Sequence, residues 1–182
     1  MSQGTGRPRR ARLTTRVLLT CAALGAVQAI ASMLLSAATP AVAAASPPAY
    51  ALLAGVHAIF PFLARRLTRT PWTVTITAGV AGALVWPVNA VGPLVLVVFL
   101  AGAASFDAML LRGRATVARM LVAAAVAGVV LFAVSLPVFS PDHLTVPILA
   151  LTLAGRIVGE AIGVIVAVVL GRGLAEAGVR VR

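Results

Sequence analysis

Residues 146–171 read VPILALTLAGRIVGEAIGVIVAVVLG, an apolar run whose only charged members are Arg156 and Glu160. A bilayer core of roughly 30 Å needs about 20 apolar residues in helical conformation, so this stretch is long enough to cross one. Within it Gly155, Gly159, Gly163, Ala167 and Gly171 place a small residue at every fourth position. That spacing leaves a groove along one helix face into which another helix backbone fits.

Working outward, five further runs have the same character: 17–38, 48–64, 72–88, 90–111 and 115–136. They are separated by arginine clusters or by Pro/Gly punctuation, which ends helices. The composition of all 182 residues agrees, with 61% hydrophobic, 10% charged and a mean hydropathy of +1.07. A soluble domain would carry about 25% charged residues. The sequence therefore predicts an all-α, polytopic membrane protein, a six-transmembrane-helix bundle spanning 13–174. A basic tail at 1–12 is expected to be disordered, and 175–182 to form a short C-terminal tail.

Charge sets the expected orientation. All 15 basic residues are arginine, against four acids, for a net charge of +11. Nucleic-acid binding needs a basic face on a soluble module, whereas these arginines fall in short clusters between apolar runs. Five precede the first run (Arg7, Arg9, Arg10, Arg12 and Arg16), and Arg65, Arg66 and Arg69 follow the second. Arg112, Arg114 and Arg119 follow the fourth, and Arg172, Arg180 and Arg182 follow the sixth. The other three connections carry none. Because cytoplasmic loops hold the excess of positive charge, both termini are expected in the cytoplasm, with every arginine except Arg156 on that side. The Arg-rich flank and the small residues Ala41–Ala45 resemble a signal peptide. The apolar stretch is too long for one and more spans follow, so an uncleaved first helix is expected.

Few groups could do chemistry. There is no metalloprotease, nucleophile-elbow or phosphate-loop motif, so this chain is not expected to split ATP, and no cofactor or metal is expected. The lone Cys21 excludes an internal disulfide. Arg156 and Glu160 fall near mid-bilayer, where an isolated charge costs about 2.5–3.5 kcal/mol on insertion scales. Their i, i+4 spacing allows mutual pairing, and it equally allows both to meet a polar ligand. His57 is either a packed histidine bonded to a neighbouring helix or a ligand contact. Trp86 and Asn89 flank Pro87, as an interfacial anchor and turn former or as a clamp for a flat heteroaromatic ring. Gln28 is a further polar candidate. Asp107, one turn from Arg112, is expected to form an ion pair near the inner surface. The first span carries Ala22, Gly25, Ala26 and Ala29 at i, i+3, i+4, i+7, a stripe suited to internal packing or to docking a partner.

These features resemble the substrate-binding S component of energy-coupling factor (ECF) transporters. The resemblance rests on the Arg-flanked first helix with its Ala22 and Ala26, the Gly55 to Pro61 helix running into Arg65 and Pro71, and the small-residue final helix ending in Arg172. The segment from Ala49 to Arg114 is most similar to the thiamine or hydroxymethylpyrimidine subgroup. The resemblance implies that the chain captures a vitamin-like small molecule at the outer face and works with a transmembrane coupling subunit and two ATPase subunits. It would place Trp86, Asn89, His57, Arg156, Glu160 and Gln28 around the substrate, and Ala22, Gly25, Ala26 and Ala29 against the coupling subunit. Two other readings stay open: a membrane enzyme acting on lipid through Glu160, His57 and Asp107, and a scaffold subunit whose grooves only bind helices.

Overall fold

The computed structural model describes residues 13–89, 92–111 and 115–179. The tail at 1–12 and six of the arginines before and between the helices (Arg7, Arg9, Arg10, Arg12, Arg112 and Arg114) lie outside them, as do Arg180 and Arg182. All regular structure among the described residues is helical. The helices are α1 (Thr15–Ser36), α2 (Thr39–Ala45), α3 (Pro47–Leu53), α4 (Ile59–Thr68), α5 (Thr73–Val85), α6 (Leu94–Met109), α7 (Val117–Ser135) and α8 (Val146–Glu176).

Local chemistry sets several of these ends. The hydroxyls of Thr14, Ser46 and Thr116 accept from the backbone N–H of Val17, Ala49 and Arg119, each satisfying an orphan donor of a first turn. Proline occupies the first turn of α3 and α8, where its missing N–H costs nothing. At the far end of α8, Gly178 takes φ +84°, and Val179 N–H turns back to the Leu174 carbonyl.

Four stretches are long and apolar enough to cross a membrane: Thr15–Ser36, Pro47–Thr68, Val117–Ser135 and Val146–Glu176. Thr73–Val88 and Leu94–Met109 are apolar but shorter. At 1.5 Å per residue the latter reaches only about 24 Å. The outward surfaces are apolar too, with Leu19, Leu34, Leu151, Ile165 and Val169 exposed. That is the pattern of a bundle whose solvent is lipid.

Neighbouring helices pack in the order α1, α5, α6, α7, α8; α8 then packs on α3 and α4, and α4 returns to α1 and α5. Within α4, Pro61 to Arg65 are buried consecutively, on every side of the helix. α4 therefore closes the ring between α8 and α1 and is enclosed by its neighbours. The span Pro47–Thr68 is broken by a 3-10 segment, Ala54–Ala58. Pro61 explains the break, because it lacks the N–H that would bond the His57 carbonyl four residues back, and its ring crowds that carbonyl. The stacked rings of Phe62 and Phe106, with centroids 4.2 Å apart, fill the middle of the bundle beside Met120 and Val164.

The small-residue face of α8 receives this broken span. A Cβ on Gly155 would come within 2.8 Å of the Pro48 carbonyl oxygen, and one on Gly163 within 3.0 Å of that of Gly55. At Gly171 the neighbour is the Arg66 side chain, at 2.9 Å. The groove predicted from the sequence is thus filled from within the chain.

Two boundaries differ from the sequence reading. The second span runs on through Arg65 and Arg66 to Thr68, because Arg65 is buried and its Nη2 donates to the Leu110 carbonyl at 3.2 Å. The last span likewise continues past Gly171 to Glu176, and the first connection contains α2, with Pro40 in its first turn.

Candidate functional site

A cavity of about 410 Å³ opens at the end of the bundle where α1, α5 and α7 finish and α6 and α8 begin. Its size falls in the range of small-molecule sites. The described arginines other than Arg156 lie at the opposite end. There Arg66 abuts Gly171, Arg65 donates to the Leu110 carbonyl, and Arg119 donates to that of Met109.

The break in the second span shapes one wall. Tyr50 from α3 and His57 from the 3-10 segment both face the cavity. Irregular backbone at membrane depth is tolerated where it lines a cavity or is buried in protein. His57 Nδ1 lies 2.8 Å from the Ser32 hydroxyl of α1 and 3.5 Å from Gln28 Nε2, which itself donates to Ser32 at 3.1 Å. Gln28 is fully buried behind the wall and does not line the cavity. It orients Ser32 and His57 from the second row. The His57 ring also meets Phe99 of α6, with centroids 5.7 Å apart.

Arg156 and Glu160 project from α8 into the same cavity, 5% and 2% exposed. The guanidinium of Arg156 sits 5.5 Å from the Tyr50 ring centroid, a cation–π arrangement. Its Nε has no hydrogen-bond partner. The i, i+4 spacing permits an ion pair, yet no Arg156–Glu160 pair forms within 4 Å among the described residues. Two buried ionisable side chains of opposite type therefore share one wall without a direct ion pair.

Of the residues singled out from sequence, the structure brings His57, Asn89, Arg156 and Glu160 to the cavity wall. Trp86 is not part of it; its side chain is 45% exposed on the bundle surface, as an interfacial anchor would be. Ser32 and Tyr50, two polar residues of the spans, join the wall because α1 and the broken span cross there. Their helical register alone does not reveal that crossing.

Asp107 is elsewhere. It is buried near the opposite end, where its Oδ2 accepts from the Thr75 N–H at 2.9 Å and the Thr75 hydroxyl at 3.0 Å. It thus caps the first turn of α5, which has no side-chain cap of its own. The Arg112 expected as its partner lies outside the described residues. Asp107 consequently does not converge with His57 and Glu160. No group of three or more metal-binding side chains occurs among the described residues.

The stripe on α1 divides. Gly25 and Ala29 are buried, and a Cβ on Gly25 would come within 2.8 Å of the Thr77 carbonyl oxygen and of Val80. Ala22 is exposed and Ala26 half-buried, beside exposed Leu19 and Ile30.

With this architecture in hand, the chain superposes on a solved structure described as the crystal structure of an S-component of ECF transporter, with a TM-score of 0.73. Its fold is similar to that of an ECF S component. The match covers 91% of this chain and 85% of the S-component chain at 19% sequence identity, so the fold is what is shared. No protein-family model matches the sequence, and no curated protein matches it significantly.

Proposed function

We propose that this chain is the substrate-binding membrane subunit of an ECF-type importer. It captures a vitamin or vitamin precursor, with thiamine and hydroxymethylpyrimidine as the molecules its sequence resemblance indicates. It delivers that molecule together with a transmembrane coupling subunit and two ATPase subunits. The chain itself is non-catalytic, and ATP is hydrolysed by the partners. The observation that carries this reading is the cavity, placed at the arginine-poor end of an S-component-like fold and walled by Arg156 and Glu160.

On this reading the arginine-rich end faces the cytoplasm and the cavity faces outward, following the bias of basic residues to the inner side. His57, Asn89, Arg156 and Glu160 contact the substrate, with Gln28 acting through Ser32 and His57. Trp86 belongs at the rim. Ala22 and Ala26 form the part of the α1 stripe that meets the coupling subunit, and Gly25 and Ala29 hold α1 against α5. The lipid-enzyme reading loses its third acid/base group, since Asp107 is bonded to Thr75 away from the cavity.

Native mass spectrometry of protein purified gently from membranes tests the proposal. A co-purifying small heteroaromatic molecule is the expected result. A retained lipid product would favour an enzyme, and a bare polypeptide a scaffold.

A further inference from the structure

The charge pattern of the cavity wall narrows what it accepts, and this step rests on the binding reading above. Arg156 and Glu160 stand one helical turn apart, more than nine-tenths buried, and both face the cavity. The simplest way to neutralise two such groups is a direct i, i+4 ion pair, and it is not made. Arg156 is instead held against the Tyr50 ring, with its Nε unpartnered, and Glu160 receives no hydrogen bond among the described residues. A cation–π contact occupies a face of the guanidinium plane and leaves its N–H edge for an acceptor. Glu160 offers only acceptor atoms when ionised.

A ligand of single charge would satisfy one of these groups and leave the other buried and unpaired, the arrangement that low-dielectric surroundings penalise most. A ligand with a donor-rich or cationic end and an acceptor-rich or anionic end satisfies both and adds no net charge. The rest of the wall is compatible with such a molecule, since Phe99 and Phe62 supply an apolar body and Ser32, His57 and Asn89 the remaining polar contacts. We infer that the cavity selects a dipolar molecule of zero net charge, its donor end on Glu160 and its acceptor end on Arg156. Of the two molecules the resemblance indicates, thiamine carries a permanent positive charge and hydroxymethylpyrimidine does not. The inference therefore places hydroxymethylpyrimidine ahead.

Three probes of one shape separate the possibilities: para-aminomethylbenzoate as zwitterion, para-methylbenzoate as anion and para-methylbenzylamine as cation. Thiamine and hydroxymethylpyrimidine complete the set. Binding to the full-length, detergent-purified protein is read by native mass spectrometry and by thermal shift. The zwitterion is expected to bind at least about tenfold more tightly than either singly charged probe, the scale of one charged hydrogen bond. Glu160→Gln should turn the preference towards the anion, and Arg156→Gln towards the cation. Equal binding of the three probes, or one rank order shared by the native protein and both variants, overturns the inference and leaves small-molecule capture standing. Should the variants fail to fold, the rank order in the native protein decides alone. If no probe binds, the net charge of the co-purified molecule decides, a charged one overturning the inference. With neither a probe nor a co-purified molecule bound, the binding reading falls and this inference with it.

Discussion

Gly55 and Gly159 meet backbone to backbone. A Cβ on Gly55 would strike the Gly159 carbonyl, and one on Gly159 would come within 2.6 Å of the Leu52 carbonyl oxygen. The broken second span can sit against α8 only because both positions lack a side chain. Gly159→Ala is therefore expected to destabilise the protein by ~1–3 kcal/mol, the cost of overpacking a filled interface. Gly173→Ala, with nothing within 4 Å of its Cβ in the same helix, should instead raise stability by ~0.5–1 kcal/mol. Thermal unfolding of the two variants in detergent checks the contrast, and equal midpoints would refute the close contact.

Asp107 gives a second stability prediction. Its Oδ2 holds both the N–H and the hydroxyl of Thr75, so Asp107→Ala removes a charged cap from a buried helix start. A loss of ~1.5–3 kcal/mol is expected from hydrogen bonds to a charged group. Thr75→Val retains the backbone bond and loses only the hydroxyl one, so ~0.5–1.5 kcal/mol is expected. A Thr75→Val variant as unstable as Asp107→Ala would show that the carboxylate is not the capping group.

The reach of the sequence can be traced through these residues. Hydropathy located the apolar runs because lipid contact imposes it on whole helices, and the spacing of glycines in 146–171 marked the face that packs. Hydropathy did not locate helix ends where the backbone outlasts the apolar run. The second span continues through the buried Arg65, and α8 continues past Arg172 to Glu176. Arg156 and Glu160 stood out because charge at that depth needs a reason. That they share a cavity without pairing depends on Tyr50 reaching Arg156 from another helix, and Tyr50 carries no pattern that announces it. Between the two roles open to Trp86 the sequence could not choose: its neighbour Asn89 lines the cavity, whereas the 3-10 turn Trp86–Val88 leaves the indole exposed outside.

The cavity wall predicts how single substitutions sort. Ser32→Ala removes the hydroxyl 2.8 Å from His57 Nδ1 and frees that ring to turn. Affinity for the co-purified molecule should fall about 2- to 10-fold, the scale of one neutral hydrogen bond. Trp86→Ala should leave affinity unchanged, because its side chain is not in the wall. Titration of both variants with the released molecule reads the difference, and a larger loss from Trp86→Ala would move the site to the rim.

The division of the α1 stripe separates docking from folding. Ala22→Leu combined with Ala26→Leu adds bulk on the outward side, so uptake by cells containing the coupling and ATPase subunits should be abolished while binding by the purified chain persists. Gly25→Leu pushes into Thr77 and Val80 and should cost stability and binding together. Loss of binding in the double variant, with the protein still folded, would assign Ala22 and Ala26 to internal packing.

Orientation can be read from two surface positions at opposite ends. Asp142 is exposed between α7 and α8, beside the end that holds the cavity, and Glu176 is exposed at the far end of α8. The natural thiol, Cys21, is buried, and a Cys21→Ser background removes it altogether. In that background Asp142→Cys should react with a membrane-impermeant maleimide in intact cells, and Glu176→Cys only after permeabilisation. The expectation follows from Arg66 and Arg172, which sit at the Glu176 end where positive charge is retained on the inner side. The reverse labelling would open the cavity to the cytoplasm, and Arg156 and Glu160 would then face a molecule leaving the cell interior rather than one entering it.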